Sequence, residues 1–144
     1  MKTSPAGIQF VEKEEGSSSV PYKDGGGVWT IGVGHVILET ESFSEISKKE
    51  ILSILSEDLV IAETCVNNFV REPLNQTEFD ALVSLVFNIG CSAFKGSTLL
   101  KLLNSGDFDG AANQFPRWCK DNGKKITGLL NRRLREKELF LRSM

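Results

Sequence analysis

Two carboxylates and a hydroxyl stand close together in one short stretch of this 144-residue chain. Glu15 ends a helical pattern, Asp24 opens a run of three glycines, and Thr30 follows just after that run. A pair of acids can divide the roles of general acid and general base, and a nearby hydroxyl can hold a water molecule. The residue types therefore indicate acid–base chemistry, with Glu15, Asp24 and Thr30 as the candidate catalytic residues.

The segment before Glu15 is predicted to be a helix that carries this acid on its buried face. Ser4 is the candidate N-cap, Pro5 takes the first helical position, and Gly16 supplies the stop. Val11 and Glu15 share one face of this helix. Partial burial and the negative end of the helix dipole both favour a protonated carboxyl, which a general acid needs at neutral pH. The two other acids of the last turn are expected to point into solvent.

A β-hairpin is predicted after this helix, with strands over 20–23 and 28–33 joined by Asp24 and three glycines. Closing the turn brings Asp24 and Thr30 onto adjacent strands, where the carboxylate and the hydroxyl could share one water molecule. Local chemistry also allows plainer roles, an Asx turn for Asp24 and a β-branched strand residue for Thr30. His35 is expected to be a hydrogen-bonded structural residue. Since it is the only histidine, the sequence predicts no metal site and no cofactor.

The spacing in this stretch resembles that of the phage-type lysozymes, the endolysin family of glycoside hydrolases. Their signature is Glu, eight residues, Asp, five residues, Thr, then Ile-Gly-x-Gly-His, and Glu15, Asp24, Thr30 and residues 31–35 match it. Further matching blocks follow in the family's order: Phe87-Asn88-Ile89-Gly90, Gly96-Ser97-Thr98-Leu99-Leu100, Gly106-Asp107, Arg117-Trp118, Gly128-Leu129 and Asn131-Arg132-Arg133. The resemblance covers nearly the whole chain.

The resemblance implies an activity and a role for each candidate residue. The expected reaction is hydrolysis of the β-1,4 bond between N-acetylmuramic acid and N-acetylglucosamine in bacterial peptidoglycan. Glu15 would be the general acid, and Asp24 with Thr30 would activate water. The family pattern also places Arg132 opposite Glu15, where its charge would favour the ionised carboxylate. His35 and Arg132 are thus expected to support the site or bind substrate.

The expected fold is α+β and mostly helical, a lysozyme-like single domain over 1–144 with two lobes. The resemblance implies a small catalytic lobe with the hairpin over 1–46, a connecting helix over 47–70 and a helical lobe over 71–144, with the substrate cleft between the lobes. The sequence supports the connecting helix by itself, because a capping box at Ser47 and Glu50 begins a helical pattern that continues to Phe69. Such a helix would be about 34 Å long, enough to bridge two lobes. A polar loop is expected over 121–125.

The net charge of −2 is unevenly distributed along the chain. From residue 117 onwards there are nine Lys or Arg residues against three Asp or Glu residues. This basic end suits an anionic partner such as a cell-wall polymer, although a solvated helix face explains it equally well. No apolar run approaches the roughly 20 residues that cross a bilayer, and no signal peptide follows Lys2. We expect a monomer that remains in the host cytoplasm until a separate factor releases it to the wall.

The three cysteines, at positions 65, 91 and 119, are not spaced like cysteines that form disulfides or bind zinc. Their number is odd and their spacing wide, so a disulfide framework or a zinc site is not expected. Cys65 falls on the apolar stripe of the connecting helix and is predicted to be a core residue.

Three other functions compete with hydrolysis. A lytic transglycosylase would use Glu15 alone and would leave Asp24 and Thr30 without a role. A noncatalytic wall-binding module would keep the fold but need no paired acids. A nucleic-acid partner would rely on the basic end of the chain, and the acidic overall balance argues against it.

Overall fold

The computed structural model describes residues 1–142, which form eight α-helices, one 3-10 helix and two small antiparallel sheets. The helices are α1 (Pro5–Glu15), α2 (Lys48–Asp58), α3 (Val60–Phe69), α4 (Gln76–Ile89), α5 (Cys91–Lys95), α6 (Thr98–Asn104), α7 (Phe108–Ala112), the 3-10 helix Phe115–Arg117 and α8 (Thr127–Leu141). The strands are β1 (Ser18–Lys23), β2 (Trp29–Gly32), β3 (His35–Val36), β4 (Lys120–Asp121) and β5 (Lys124–Lys125). The mostly helical α+β prediction is confirmed.

Helix α1 begins and ends where its capping residues predict. The Ser4 side chain accepts a hydrogen bond from the Gly7 N–H at 3.0 Å, and Gly16 ends the helix with φ +76°. The Ser4 N–H donates to Asp80 Oδ1 of α4 at 3.0 Å, so this end of α1 is fixed to the helical lobe. A Cβ at position 7 would lie 2.5 Å from the Asp80 carboxyl carbon. Only glycine therefore allows α1 to approach α4 this closely.

The predicted hairpin is present and gains a third strand. Strand β2 lies between β1 and β3, with Tyr22 opposite Thr30 on one side and His35 opposite Ile31 on the other. The side chain of Ile31 is fully buried and Val33 is nearly so, and these residues anchor the small sheet to the core. The sheet therefore holds the Asp24 turn and the Thr30 strand in a fixed register.

The connecting helix occupies the predicted span but consists of two segments that meet at Leu59. Both hydrogen bonds of the Ser47–Glu50 capping box are formed. The Leu59 N–H still donates to the Leu55 carbonyl at 2.9 Å, but it is shared with the carbonyl of Glu57. The Glu63 N–H donates to the Leu59 carbonyl at 2.9 Å, so helical hydrogen bonds are present on both sides of Leu59, which is itself fully buried.

The second lobe is built around α4, whose side chains from Phe79 to Val86 are buried without interruption. Helix α8 packs along it, and the rings of Phe115 and Phe140 meet with centroids 5.5 Å apart. The expected polar loop over 121–125 instead contains the β4–β5 hairpin. Between residues 1 and 142, no helix combines the length and the apolar character needed to cross a membrane.

A disulfide joins Cys65 of α3 to Cys91, the first residue of α5. The expectation that the cysteines would not be linked is therefore wrong for this pair. The packing of α3 against α5 brings the two Cα atoms to 5.9 Å, a distance that sequence spacing does not reveal. Cys65 is buried as predicted, and Cys119 is a buried free thiol.

Candidate active site

Glu15 lies in the last turn of α1 and lines a cleft of about 450 Å³ between the helix and the small sheet. The other lining residues are Gly16, Ser17, Ser18, Tyr22 and Gly34. Its side chain is 27% exposed, and Arg132 Nη1 donates a hydrogen bond to its Oε2 atom. Within residues 1–142, the other carboxylate oxygen, Oε1, has no hydrogen-bond partner. The structure thus brings Glu15 and Arg132 together as predicted and leaves one oxygen available in the cleft.

Arg132 is itself held by a buried polar network beneath the cleft. Its Nε donates to Glu136 Oε2 at 3.1 Å and its Nη2 to the Ser84 carbonyl at 3.2 Å, while Ser84 Oγ donates to the same Glu136 oxygen at 2.5 Å. Burial raises the pKa of Glu136, against the opposing charge of the arginines beside it. Sequence reasoning missed Glu136, although its position four residues after Arg132 on one helix was a usable signal.

Arg133 completes the network and is fully buried. Its Nη1 donates to Glu136 Oε1 at 2.5 Å, and its Nη2 donates to Asn88 Oδ1. Its Nε is the one buried side-chain nitrogen or oxygen without a partner in the described part of the chain. One carboxylate therefore serves two adjacent arginines, and these two cations of the predicted basic helix are buried rather than exposed to solvent.

The other acids of α1 are not solvated, contrary to expectation. Glu14 is 7% exposed and receives hydrogen bonds from Arg135 Nε and Nη2 at 2.6 and 2.7 Å. Glu12 binds Lys48 Nζ at 2.5 Å, and this contact lowers the pKa of Glu12 although burial opposes it. These two acids fasten α1 to α8 and α2, and Glu15 is the acid of this turn that lines the cleft.

Asp24 is exposed at the start of the turn between β1 and β2. Its Oδ1 accepts hydrogen bonds from the Gly26 N–H at 2.8 Å and the Val28 N–H at 2.9 Å, which is the Asx turn that local chemistry allowed. No group of residues 1–142 hydrogen-bonds to Oδ2. The turn thus fixes the orientation of the carboxylate and leaves one oxygen free, so a structural role and a catalytic role are compatible here.

Thr30 lies opposite Tyr22 and is 3% exposed. Its hydroxyl donates to the Val28 carbonyl at 2.9 Å, and the Asp24 N–H donates to the same carbonyl at 2.9 Å. Asp24 and Thr30 are therefore connected through Val28, but their side chains are not hydrogen-bonded to each other. Because the Thr30 hydroxyl has used its hydrogen, its oxygen can only accept one from a further group.

His35 ties the small sheet to the end of α2. Its Nδ1 lies 2.8 Å from Asp58 Oδ2 and its Nε2 lies 3.0 Å from Glu41 Oε1. Burial lowers the pKa of His35, but the hydrogen bonds and charges of the two carboxylates outweigh it and raise the pKa above its ordinary value. The structural role expected for His35 is supported by these contacts. Across positions 1–142, no group of three or more Cys, His, Asp or Glu side chains is arranged to hold a metal.

Comparison with known proteins identifies the family to which this architecture belongs. Residues 12–136 match the family model described as phage lysozyme. The endolysin of Salmonella phage P22 is 43% identical over 145 residues, which covers 98% of this chain and 99% of that protein. A crystal structure of a P22 lysozyme mutant superposes with a TM-score of 0.93 at 41% identity, covering 99% of both chains. The muramidase domain of SpmX from Asticaccaulis excentricus gives 0.86 at 35% identity, again over 99% of both chains. The chain therefore belongs to the phage lysozyme family.

Proposed function

We propose that this member of the phage lysozyme family is a muramidase, which hydrolyses the bond between N-acetylmuramic acid and N-acetylglucosamine in bacterial peptidoglycan. The observation that carries the proposal is the difference between the two carboxylate oxygens of Glu15 in the cleft. One carboxylate oxygen is fixed by Arg132 and the other is free to carry a proton toward a substrate. The family membership supports a peptidoglycan-degrading enzyme, and the proteins similar to this chain include endolysins and a muramidase domain.

The acid step is assigned to Glu15 Oε1. A protonated Oε1 would donate its hydrogen to the glycosidic oxygen as the bond to the muramic acid anomeric carbon breaks, and the departing sugar would leave with a hydroxyl. Arg132 on Oε2 keeps the carboxyl group in one orientation and stabilises the anion that remains after transfer. Before the next cycle Glu15 takes up a proton from the solvent, and Asp24 releases to the solvent the proton that it accepts in the water-activating step described next.

The water-activating step is assigned to Asp24 with Thr30. A water molecule would donate one hydrogen bond to Asp24 Oδ2 and another to Thr30 Oγ1, because both oxygens can accept. As the water oxygen attacks the anomeric carbon, its proton passes to Asp24 and the product carries an ordinary reducing end. Attack by a water held on the face opposite the leaving group inverts the anomeric configuration.

The acid assignment is tested with Glu15→Gln, which has nearly the same shape but cannot donate the proton. We expect wall lysis to fall by about 10²- to 10⁴-fold, the usual contribution of a general acid, with an unchanged circular dichroism spectrum. Glu45→Gln is the matched control, because it makes the same change at an exposed acid outside the cleft. Near-normal lysis by a folded Glu15→Gln protein would remove Glu15 from this role.

The bond and the reaction are tested by mass spectrometry of digested peptidoglycan. Hydrolysis gives reducing muramic acid ends, whereas a lytic transglycosylase gives anhydro-muramic ends and a wall-binding module gives no new ends. On a soluble cell-wall oligosaccharide, NMR of the first-formed anomer is expected to show inversion. Retention would show that the role proposed for Asp24 and Thr30 is wrong.

We also propose that the protein acts as a monomer and that it reaches the wall through a separate factor. The test is to produce the protein in the cytoplasm of host cells and to compare lysis while the inner membrane is intact with lysis after that membrane has been permeabilised. If cytoplasmic protein lyses intact cells at the same rate without a partner, the need for a separate factor is refuted. Light scattering of the purified protein measures its oligomeric state.

A further inference from the structure

The contact between Arg132 and Glu15 uses one nitrogen and one oxygen. Arg132 Nη1 donates to Glu15 Oε2, and within residues 1–142 no other hydrogen bond joins the two side chains. Arginine and carboxylate groups frequently pair through two parallel hydrogen bonds, because the planar guanidinium matches the spacing of the two oxygens. A two-bond pair here would occupy Glu15 Oε1 as well. The single contact therefore decides whether that oxygen is available in the cleft.

The other donors of Arg132 are occupied by buried groups. Its Nε donates to Glu136 Oε2 at 3.1 Å, and its Nη2 lies 3.2 Å from the Ser84 carbonyl oxygen and 3.4 Å from Ser84 Oγ. A guanidinium forms two parallel bonds only through two neighbouring nitrogens, and Nη2 belongs to both of the pairs that it offers, Nε with Nη2 and Nη1 with Nη2. Because Nε and Nη2 are already bonded, Nη1 is the nitrogen that is presented to Glu15.

Glu136 can fix this orientation because it is itself held from three sides. Its side chain is fully buried. Its Oε2 accepts from Ser84 Oγ at 2.5 Å as well as from Arg132, and its Oε1 accepts from Arg133 Nη1 at 2.5 Å. Both carboxylate oxygens are thus engaged. The Glu136 side chain cannot rotate without breaking buried hydrogen bonds, and a buried donor that loses its acceptor is costly.

We infer that Glu136 is a positioning residue that restricts Arg132 to one hydrogen bond with Glu15 and so keeps the second oxygen of the acid available. The inference rests on the proposed function and deepens it, because it names a residue beneath the cleft on which the acid step depends. Glu136 is fully buried, so it does not touch the substrate. Its effect acts through Arg132, and it should appear in kcat while KM is unchanged.

Loss of Glu136 should convert the single contact into a two-bond pair. With Nε released, the guanidinium of Arg132 can turn and present two nitrogens to the two oxygens of Glu15. One further charge-assisted hydrogen bond favours the two-bond pair by about tenfold, so about one molecule in ten would keep Glu15 Oε1 free. We therefore expect kcat to fall by about tenfold.

The test variant removes Glu136 together with Arg133, its second arginine. Glu136→Leu alone would leave two buried arginines without their shared carboxylate and would lower stability strongly. Replacement of both members of a buried ion pair by apolar residues of similar volume is often neutral or stabilising, so Arg133→Met/Glu136→Leu should fold while it releases Arg132 Nε. Asn88, which also accepts from Arg133, is exposed and can bond to water instead.

The kinetic test measures kcat and KM of the wild type and of this double variant on a soluble cell-wall glycan. The double variant should have a kcat about tenfold lower and the same KM. Leu103→Ala is the control for lost stability, because it truncates a fully buried side chain of α6 that neither lines the cleft nor belongs to the network. It should keep the wild-type kcat. An unchanged kcat in the double variant, or an equal loss in the control, would overturn the inference.

Arg132→Lys gives a result that a merely structural role of Glu136 does not predict. A lysine ammonium is a compact point charge and cannot form the planar two-bond pair. In the wild-type background this substitution should lower kcat, because the orientation of Glu15 is weakened. In the double variant it should raise kcat by about threefold, because Glu15 Oε1 is released. A lower kcat in both backgrounds would show that Glu136 has only a structural role.

A crystal structure of the double variant separates failure of this inference from failure of the proposed function, because the contact is observed without turnover. Two hydrogen bonds between Arg132 and Glu15 are expected. A single bond to Glu15 Oε2, as in the wild type, would overturn the inference whatever the activity. Absence of hydrolysis by the wild type would instead overturn the proposed function.

Discussion

Reduction of the Cys65–Cys91 disulfide is expected to lower the free energy of unfolding without changing the catalytic residues. The bond joins α3 to α5, and neither cysteine lines the cleft around Glu15. Reduction leaves every side chain in place except for the bond itself, so it is a cleaner change than a substitution at the buried Cys65. The remaining thiol, Cys119, is unaffected because it is not bonded.

The size of the effect follows from the chain that the bond closes. The two cysteines are 26 residues apart, and closure of a loop of that size in the unfolded chain corresponds to about 3.5 kcal/mol at 25 °C in the chain-entropy treatment. For a chain of 144 residues, an unfolding entropy of about 2.1 cal/mol/K per residue converts this to a decrease in Tm of roughly 12 °C.

The assay is thermal unfolding followed by circular dichroism, with the oxidised and reduced protein at the same concentration and pH. Mass spectrometry after thiol labelling confirms the redox state of each sample. Cys119→Ser provides the control, since its Tm difference between the two states should equal that of the wild type. Equal Tm values for oxidised and reduced protein would refute the entropic argument, and loss of lysis at 25 °C by folded reduced protein would refute the separation of this bond from the site.

Three further predictions concern the charges around the cleft. Glu136→Gln should cost about 3–5 kcal/mol in urea unfolding, because it leaves two buried arginines without their shared carboxylate; a loss below 1 kcal/mol would show that Glu136 is not their counter-ion. Arg132→Ala should lower kcat for wall lysis, since it removes the hydrogen bond that orients the Glu15 carboxylate; unchanged lysis by the folded variant would exclude Arg132 from the site. The His35 ion pairs contribute fully to the free energy of unfolding below the unfolded pKa of 6.5, and this contribution is lost as pH rises through the higher pKa of the folded protein. The free energy of unfolding should therefore fall over that pH range. His35→Gln should remove this pH dependence.

Much of the fold and of the site could be predicted because the signals are local. Ser4, Gly16 and the Ser47 capping box act within one turn of helix, and the structure uses each as predicted. The Asp24 turn with its glycines is likewise a short-range feature. The contact between Arg132 and Glu15 spans most of the chain and was predicted only through the family resemblance.

What could not be predicted depends on which helices pack together. The approach of α3 to α5 decides that Cys65 and Cys91 are bonded, and nothing in their spacing indicates it. Arg133 is buried because α8 packs against α4. From sequence alone, a charged helix is predicted to face solvent, because the buried partner of its arginine is not known. The division of the connecting helix at Leu59 could not be predicted either, because the apolar pattern continues across it.

The attachment of α1 places the proposed acid, Glu15, on a helix that is bonded to the helical lobe, whereas the proposed base, Asp24, lies in the small sheet. Helix α1 is bonded to Asp80 of α4 and, through Arg132, to α8, whereas Asp24 belongs to the small sheet. A rotation of the sheet relative to the helices would therefore change the Glu15–Asp24 separation and leave the arginine contact intact. Under the roles proposed above, opening the cleft to admit a polymer also disassembles the catalytic pair, and closing it reassembles the pair around the bound sugar.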